Sequence, residues 1–133
     1  MIRWRASARA EGQRRDELIG AIRTVRYELS SNVVAIANVV SHTSGCFLPI
    51  ELRDRRYREA QFILARNLPS EVREQVARSH ETMFIATTNV AGIRAKGSAV
   101  KSEIDAIARI GDEVAKANSL LHDHLTKALK AEP

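Results

Sequence analysis

An apolar seam in the last third of the 133-residue sequence strongly limits what the chain can fold into. Between residues 100 and 128, successive seam positions alternate in steps of four and three. These positions are Val100, Ile104, Ile107, Gly111, Val114, Asn118, Leu121, Leu125 and Ala128. Because an α-helix turns once every ~3.6 residues, this spacing places all of them along one side of a helix of about residues 99–131. A seam this long is typical of helices that pack lengthwise against other helices.

The rest of the sequence predicts three more helices, over about residues 12–43, 50–66 and 70–96. Apolar residues from Leu18 to Val40 recur in steps of three and four, which indicates one apolar helix face. Gly45 can end the first helix, and Pro49 and Pro69 suit the first turns of the next two. Short connections make consecutive helices neighbours. We therefore predict an all-α, antiparallel four-helix bundle with two long terminal helices and two shorter middle helices.

The predicted domain organisation is a basic N-terminal segment, residues 1–11, followed by one bundle domain, residues 12–131. An alternative joins the second and third helices into one helix kinked at Pro69. That arrangement would leave a three-helix molecule with uncovered apolar surface, and so a dimer.

Composition excludes several classes of protein. The single cysteine, Cys46, cannot form an internal disulfide, so a disulfide-stapled scaffold is excluded. No apolar run approaches the ~18 residues of a membrane-spanning helix. The N-terminus also lacks the apolar stretch of a secretory signal, so we expect a cytoplasmic protein.

The sequence contains no recognisable catalytic or metal-binding motif. No histidine has an acidic residue three positions before it, as a di-iron bundle requires. We interpret His122, Asp123 and His124 as a solvated helix end, since residues two apart lie on different faces. Cys46, near His42, is interpreted as a loop residue. We therefore predict no enzymatic activity, no metal and no cofactor.

Three asparagines fall on or beside the predicted apolar faces: Asn32, Asn89 and Asn118. Asparagine is a poor helix former, so one inside a helix usually needs a hydrogen-bond partner. The interpretation we favour is that buried amides fix the register of the bundle. The alternative is an interior polar pocket that binds a small molecule.

The N-terminal segment and its continuation are rich in arginine. The predicted anion-binding residues are Arg3, Trp4, Arg5, Arg9, Arg14 and Arg15. A tryptophan beside several arginines is typical of the border of a membrane, where each arginine near an anionic surface contributes ~1 kcal/mol. The same residues support a weaker hypothesis of nucleic-acid binding. The simplest interpretation of this segment is a frayed, solvated N-terminus; of the two candidate partners, we expect an anionic membrane surface to be the better.

Several short motifs occur along the chain: Trp4-Arg5 through Arg15, Glu28-Leu29-Ser30-Ser31-Asn32, Leu68-Pro69 and Asn89. Together they resemble a group of uncharacterised bacterial proteins in which a transmembrane helix leads into a basic stretch and a helical cytosolic domain. This chain departs from that pattern because it lacks the membrane helix. The resemblance implies a helical domain at the inner face of the membrane, and it implies no activity.

The leading functional hypothesis is a non-enzymatic helical interaction module that associates with itself, most simply as a dimer. The predicted self-association seam is Ile104, Ile107, Val114, Leu121 and Leu125. The two alternatives are a small-molecule sensor with the asparagine-lined pocket and a nucleic-acid binder that uses the N-terminal arginines.

Overall fold

The chain forms four α-helices and no strand within residues 2–41 and 50–130, which the computed structural model describes, with side chains from residue 7 onward. The helices are α1 (Ile2–Ser41), α2 (Arg55–Asn67), α3 (Ser70–Lys96) and α4 (Lys101–Lys130). The all-helical bundle predicted from the sequence is therefore present. The predicted helix end at Gly45, the helix start at Pro49 and the loop residue Cys46 lie outside the described residues.

α1 begins at Ile2, so the predicted start near residue 12 is wrong. The sequence before residue 12 has no apolar periodicity, but its alanines and arginines are strong helix formers. Leu18 is the first buried residue among the described side chains of α1, and those of residues 7–17 are exposed or half-buried. Residues 7–17 are thus helical without a side chain in the core.

α2 begins at Arg55, five residues after the start expected at residue 50. Residues 50–54 are not helical, and Asn32 and Glu28 of α1 hold the chain between residues 53 and 57. Contacts with α1 therefore decide where α2 starts. Before α3, by contrast, Pro69 and Ser70 mark the helix start as the sequence predicted.

The apolar core lies between α4 and its neighbours, since α4 packs against both α1 and α3, and α1 also packs against α2. Burying such aliphatic side chains stabilises the fold by about 1.5–3 kcal/mol each. Four of the five residues of the predicted self-association seam lie in this core: Ile107, Val114, Leu121 and Leu125. Ile104 is half-buried. The seam is therefore covered within one chain.

Gly111 lies where α4 approaches α1 closely. A Cβ atom at Gly111 would lie 3.0 Å from Cγ2 of Ile36. At the end of α3, Gly97 has a φ of +79° and its N–H donates to the carbonyl of Ile93. This left-handed cap ends α3 before the chain turns into α4.

Candidate functional site

A polar cluster surrounds the N-terminus of α2, and its central group is the carboxylate of Glu28. This side chain is 3% exposed and accepts the backbone N–H groups of Arg56 and Tyr57 at 2.9 and 3.2 Å. The first N–H groups of a helix have no partner within the helix, and the helix dipole favours a negative charge there. Asp54, which precedes the helix, makes no side-chain cap bond. Glu28 therefore caps α2 from another helix.

Asn32, one turn further along α1, holds the backbone just before α2. Its side chain is 1% exposed. Oδ1 accepts the N–H of Arg53 and Nδ2 donates to the carbonyl of Arg53, each at 2.8 Å. Nδ2 also lies 3.2 Å from Sδ of Met83. All hydrogen-bonding atoms of this amide are thus engaged with protein atoms.

His80 of α3 completes the cluster by stacking on Tyr57, with ring centroids 3.7 Å apart and an interplanar angle of 12°. Nδ1 lies 2.8 Å from the carbonyl of Val76, and the buried Nε2 has no hydrogen-bond partner among the described residues. Burial lowers the pKa of His80, although the Val76 carbonyl and the charges of Glu28 and Asp54 oppose the shift. At neutral pH this lowered pKa favours the uncharged imidazole.

The cluster has little capacity for catalysis. Glu28 is already occupied by two backbone N–H groups. Ser79, whose hydroxyl lies 3.5 Å from Nδ1 of His80, is fully buried and donates to the carbonyl of Val76. A nucleophile must reach its substrate, and this hydroxyl is out of reach. The arrangement is best explained as a structural joint between α1, α2 and α3.

The other two predicted interior asparagines are less buried than Asn32. Asn118 is half-buried: its Oδ1 accepts from Nε of Arg26 and its Nδ2 donates to Oγ of Ser30, each at 3.0 Å. It lines a surface cavity of about 220 Å³ with Arg26 and His122. Asn89 is half-buried on α3. Asn32 and Asn118 thus have separate sets of partners.

The predicted anion-binding arginines lie on the first turns of α1. The side chains of Arg9 and Arg14 are exposed, and that of Arg15 is half-buried. Arg3, Trp4 and Arg5 lie in the helix, but their side chains are outside the described part of the structure. Among the described residues, no group of three or more histidine, cysteine or acidic side chains is placed to hold a metal ion.

The outer side of α3 carries an apolar surface that helical periodicity alone does not predict. Phe84 is 75% exposed and Ile85 is 51% exposed, which is unusual for two adjacent large apolar side chains. The exposed residues that continue this surface toward the end of α3 are small and uncharged. We define the α3 face as Phe84, Ile85, Thr88, Ala91, Gly92 and Ala95.

The polar atoms of the α3 face are satisfied within the helix. The hydroxyl of Thr88 donates to the carbonyl of Phe84 at 3.1 Å, and that of the adjacent Thr87 donates to the carbonyl of Met83 at the same distance. The sequence carries no charged residue from Thr82 to Ile93, and this run is the signal that could have revealed the surface. Exposed Tyr27, Val34 and Phe62 lie on other helices.

No protein-family model, curated protein or solved structure matches this chain. In the described part of the chain, no helix combines the length and the apolar character needed to cross a membrane.

Proposed function

We propose that the chain is a non-enzymatic helical interaction module that presents the α3 face to a protein partner. The observation that carries the proposal is the exposure of Phe84 beside Ile85 on an uncharged helix surface. Contiguous exposed apolar surface of this kind is typical of protein interaction sites. Aromatic side chains such as Phe84 are also enriched at interfaces.

The use of the interior polar groups supports the same proposal. Glu28 caps α2 and Asn32 pairs with the backbone of Arg53, so both side chains serve the fold. The joint they form holds α2 against α1, with His80 of α3 stacked on Tyr57. A helical surface that is held in place before binding loses little entropy on binding, which favours affinity.

We also propose that neighbouring helices run antiparallel, as the short connection from α3 to α4 favours. The contacts between α1 and α4 support this arrangement. Ser30 bonds to Asn118, whereas Ile36, further along α1, lies beside Gly111, which comes earlier in α4. Residue numbers thus rise along α1 as they fall along α4.

In-cell photo-cross-linking tests the interaction module. Phe84 is replaced by p-benzoylphenylalanine, and the matched control carries the same residue at Arg109, an exposed position of α4. We expect a discrete protein adduct from position 84 that is absent or much weaker from position 109. Equal labelling at the two positions, or none at 84, would contradict the proposal.

A second candidate function, attachment to an anionic membrane surface, is favoured by the exposure of Arg9 and Arg14 on a stretch of α1 without buried side chains. Two cations contribute only ~1 kcal/mol each near such a surface, so binding should be weak and salt-sensitive. Co-sedimentation with phosphatidylserine vesicles should fall for Arg9→Gln/Arg14→Gln. The charge-matched control, Lys116→Gln/Lys130→Gln, should bind as the parent does; an equal loss for both variants would reject a specific role for α1.

A further inference from the structure

We propose that the partner of the α3 face is a second copy of the chain, docked as an antiparallel, two-fold symmetric pair of α3 helices centred at Thr88. This inference rests on the proposed function, because it takes the α3 face to be an interaction surface. It places self-association on the α3 face and not on the predicted self-association seam of α4.

The α3 face lies opposite the side of the helix that enters the core. Successive residues of a helix are rotated by about 100°. On that basis Thr88 is diametrically opposite Ser79, which is fully buried. The residues on the same side of the helix as Ser79 are Met83, Ala86 and Val90, and they are also buried. A helix docking on Thr88 would therefore leave the core of each chain untouched.

The large and small residues of the face occupy its two halves, which makes it self-complementary when reversed. In an antiparallel pair centred at Thr88, Phe84 of one copy packs between Ala91 and Ala95 of the other. Ile85 meets Gly92 on the other side of the contact. Each large side chain is thus received by small residues, as in knobs-into-holes packing.

No contact among the described residues explains why a glycine stands at position 92 of a helix. A Cβ atom added there would have no described atom within 4 Å apart from the adjoining helix backbone, so no neighbouring group in the described part of the chain requires a glycine. Glycine in a helix interior costs about 1 kcal/mol relative to alanine. Close approach of Ile85 from a second copy accounts for the missing side chain.

Charge also favours the antiparallel orientation. Glu81 precedes the α3 face and Lys96 follows it, both exposed. Reversing one copy brings Glu81 near Lys96 of the other copy. The ammonium group of Lys96 also forms an ion pair with Glu103 of its own chain at 2.8 Å. A parallel pair would instead place Glu81 beside its own copy, and like charges facing each other are unfavourable.

A two-fold contact of this kind is isologous, so each copy contributes the same residues and the assembly closes at two chains. An open filament is not expected. The dimer therefore shows one limiting mass as concentration rises.

The first test measures mass against concentration by sedimentation equilibrium, for the full chain and for Thr88→Lys. Lysine at the centre of the pair meets its own copy across the two-fold axis, so the dissociation constant should rise by about a hundredfold or more. Thr24→Lys is the matched control, since Thr24 is also exposed on a helix and its hydroxyl also donates to a backbone carbonyl. The control should leave the dimer intact.

Disulfide trapping tests the orientation in a Cys46→Ser background. Two copies of Thr88→Cys should cross-link under mild oxidation, because their Cα atoms face each other at the axis. Two copies of Phe84→Cys should not, because antiparallel packing separates them by about 12 Å along the helix axis at 1.5 Å per residue. Cross-linking of Phe84→Cys with itself would instead indicate a parallel pair and overturn the proposed geometry.

A strict monomer at high concentration, or a dimer that Thr88→Lys leaves unchanged, would also overturn the inference. Its failure is distinguishable from that of the proposed function. An adduct from position 84 with the mass of one chain plus a different protein would retain the interaction module and reject self-association. Absence of any adduct from position 84 would reject both.

Discussion

The carboxylate of Glu28 in α1 accepts the backbone N–H of Arg56 in α2 at 2.9 Å, so that a residue 28 positions earlier caps the second helix. Replacing Glu28 with glutamine removes the charge and turns one acceptor into a donor. We expect Glu28→Gln to lower the free energy of unfolding by about 1–3 kcal/mol, because buried N–H groups lose a charged partner. Urea denaturation at neutral pH checks this value.

Glu17→Gln is the matched control for Glu28→Gln. Glu17 is exposed on the same helix, so its replacement should change the free energy of unfolding by less than about 0.5 kcal/mol. Equal effects of the two substitutions would contradict the capping role of Glu28.

The second prediction compares Asn32 with Asn118. Asn32→Leu leaves the N–H and carbonyl of Arg53 without their side-chain partner and should cost about 1–3 kcal/mol. Asn118→Leu should cost less than about 0.5 kcal/mol, because water can replace a half-buried amide. Thermal and urea unfolding of the two variants measure the difference. A larger loss from Asn118→Leu would show that the α1–α4 contact, and not the joint with α2, depends on an amide.

The third prediction concerns pH. Burial lowers the pKa of His80 below its ordinary value of 6.5, so the unfolded chain binds the proton more readily than the folded one. The stability that depends on neutral His80 is therefore complete above pH 6.5 and is lost as the pH falls toward the folded pKa. Urea midpoints measured from pH 7.5 to 5 should decrease.

Two variants test whether this loss of stability at low pH comes from His80. His80→Phe keeps an aromatic ring against Tyr57 and removes the titrating group, so the decrease over this pH range should become smaller. His122→Gln, which removes an exposed imidazole, should retain the decrease of the parent chain. A parallel decrease in all three proteins would place the acid sensitivity elsewhere.

The fourth prediction contrasts two helical glycines, measured in the Thr88→Lys background so that self-association does not contribute. Gly92→Ala should raise the free energy of unfolding by about 1 kcal/mol, since the new methyl group has open space around it. Gly111→Ala brings a Cβ atom to 3.0 Å from Ile36 and should be less favourable than Gly92→Ala by about 1 kcal/mol or more. Equal increases in the free energy of unfolding for the two variants would mean that α1 moves away from the added methyl group at no measurable cost.

Periodicity predicted the helical class and the residues of the α4 seam, but it did not predict what covers the seam. Steps of three and four show that Val114 and Leu121 share one face, and this spacing is the same whether the neighbour is α1 or a second chain. For that reason the spacing alone also fits self-association between two chains. Its burial within one chain depends on distant segments that a local pattern does not identify.

The start of α2 and the α3 face show two other limits. Pro49 and Glu51 form a plausible local helix start, yet side chains from α1 delay the helix to Arg55. The Tyr57–His80 stack likewise joins helices whose local patterns contain no sign of it. Phe84, in contrast, falls in an uncharged run that the sequence displays. The same run also contains the buried Met83, Ala86 and Val90, so only the structure shows that Phe84 faces outward.

Three backbone N–H groups near the start of α2 donate hydrogen bonds to side chains of α1, which affects their hydrogen exchange. The N–H of Arg53 donates to Asn32, and those of Arg56 and Tyr57 donate to Glu28. The side chains of Arg53 and Arg56 are exposed, and exposed positions near a helix start usually exchange with deuterated solvent through small local openings. Here each of these amides is held by a buried side chain of α1, so it becomes accessible only when α1 separates from α2. Three amides at the surface of the protein should therefore exchange as slowly as the core and report the separation of these two helices.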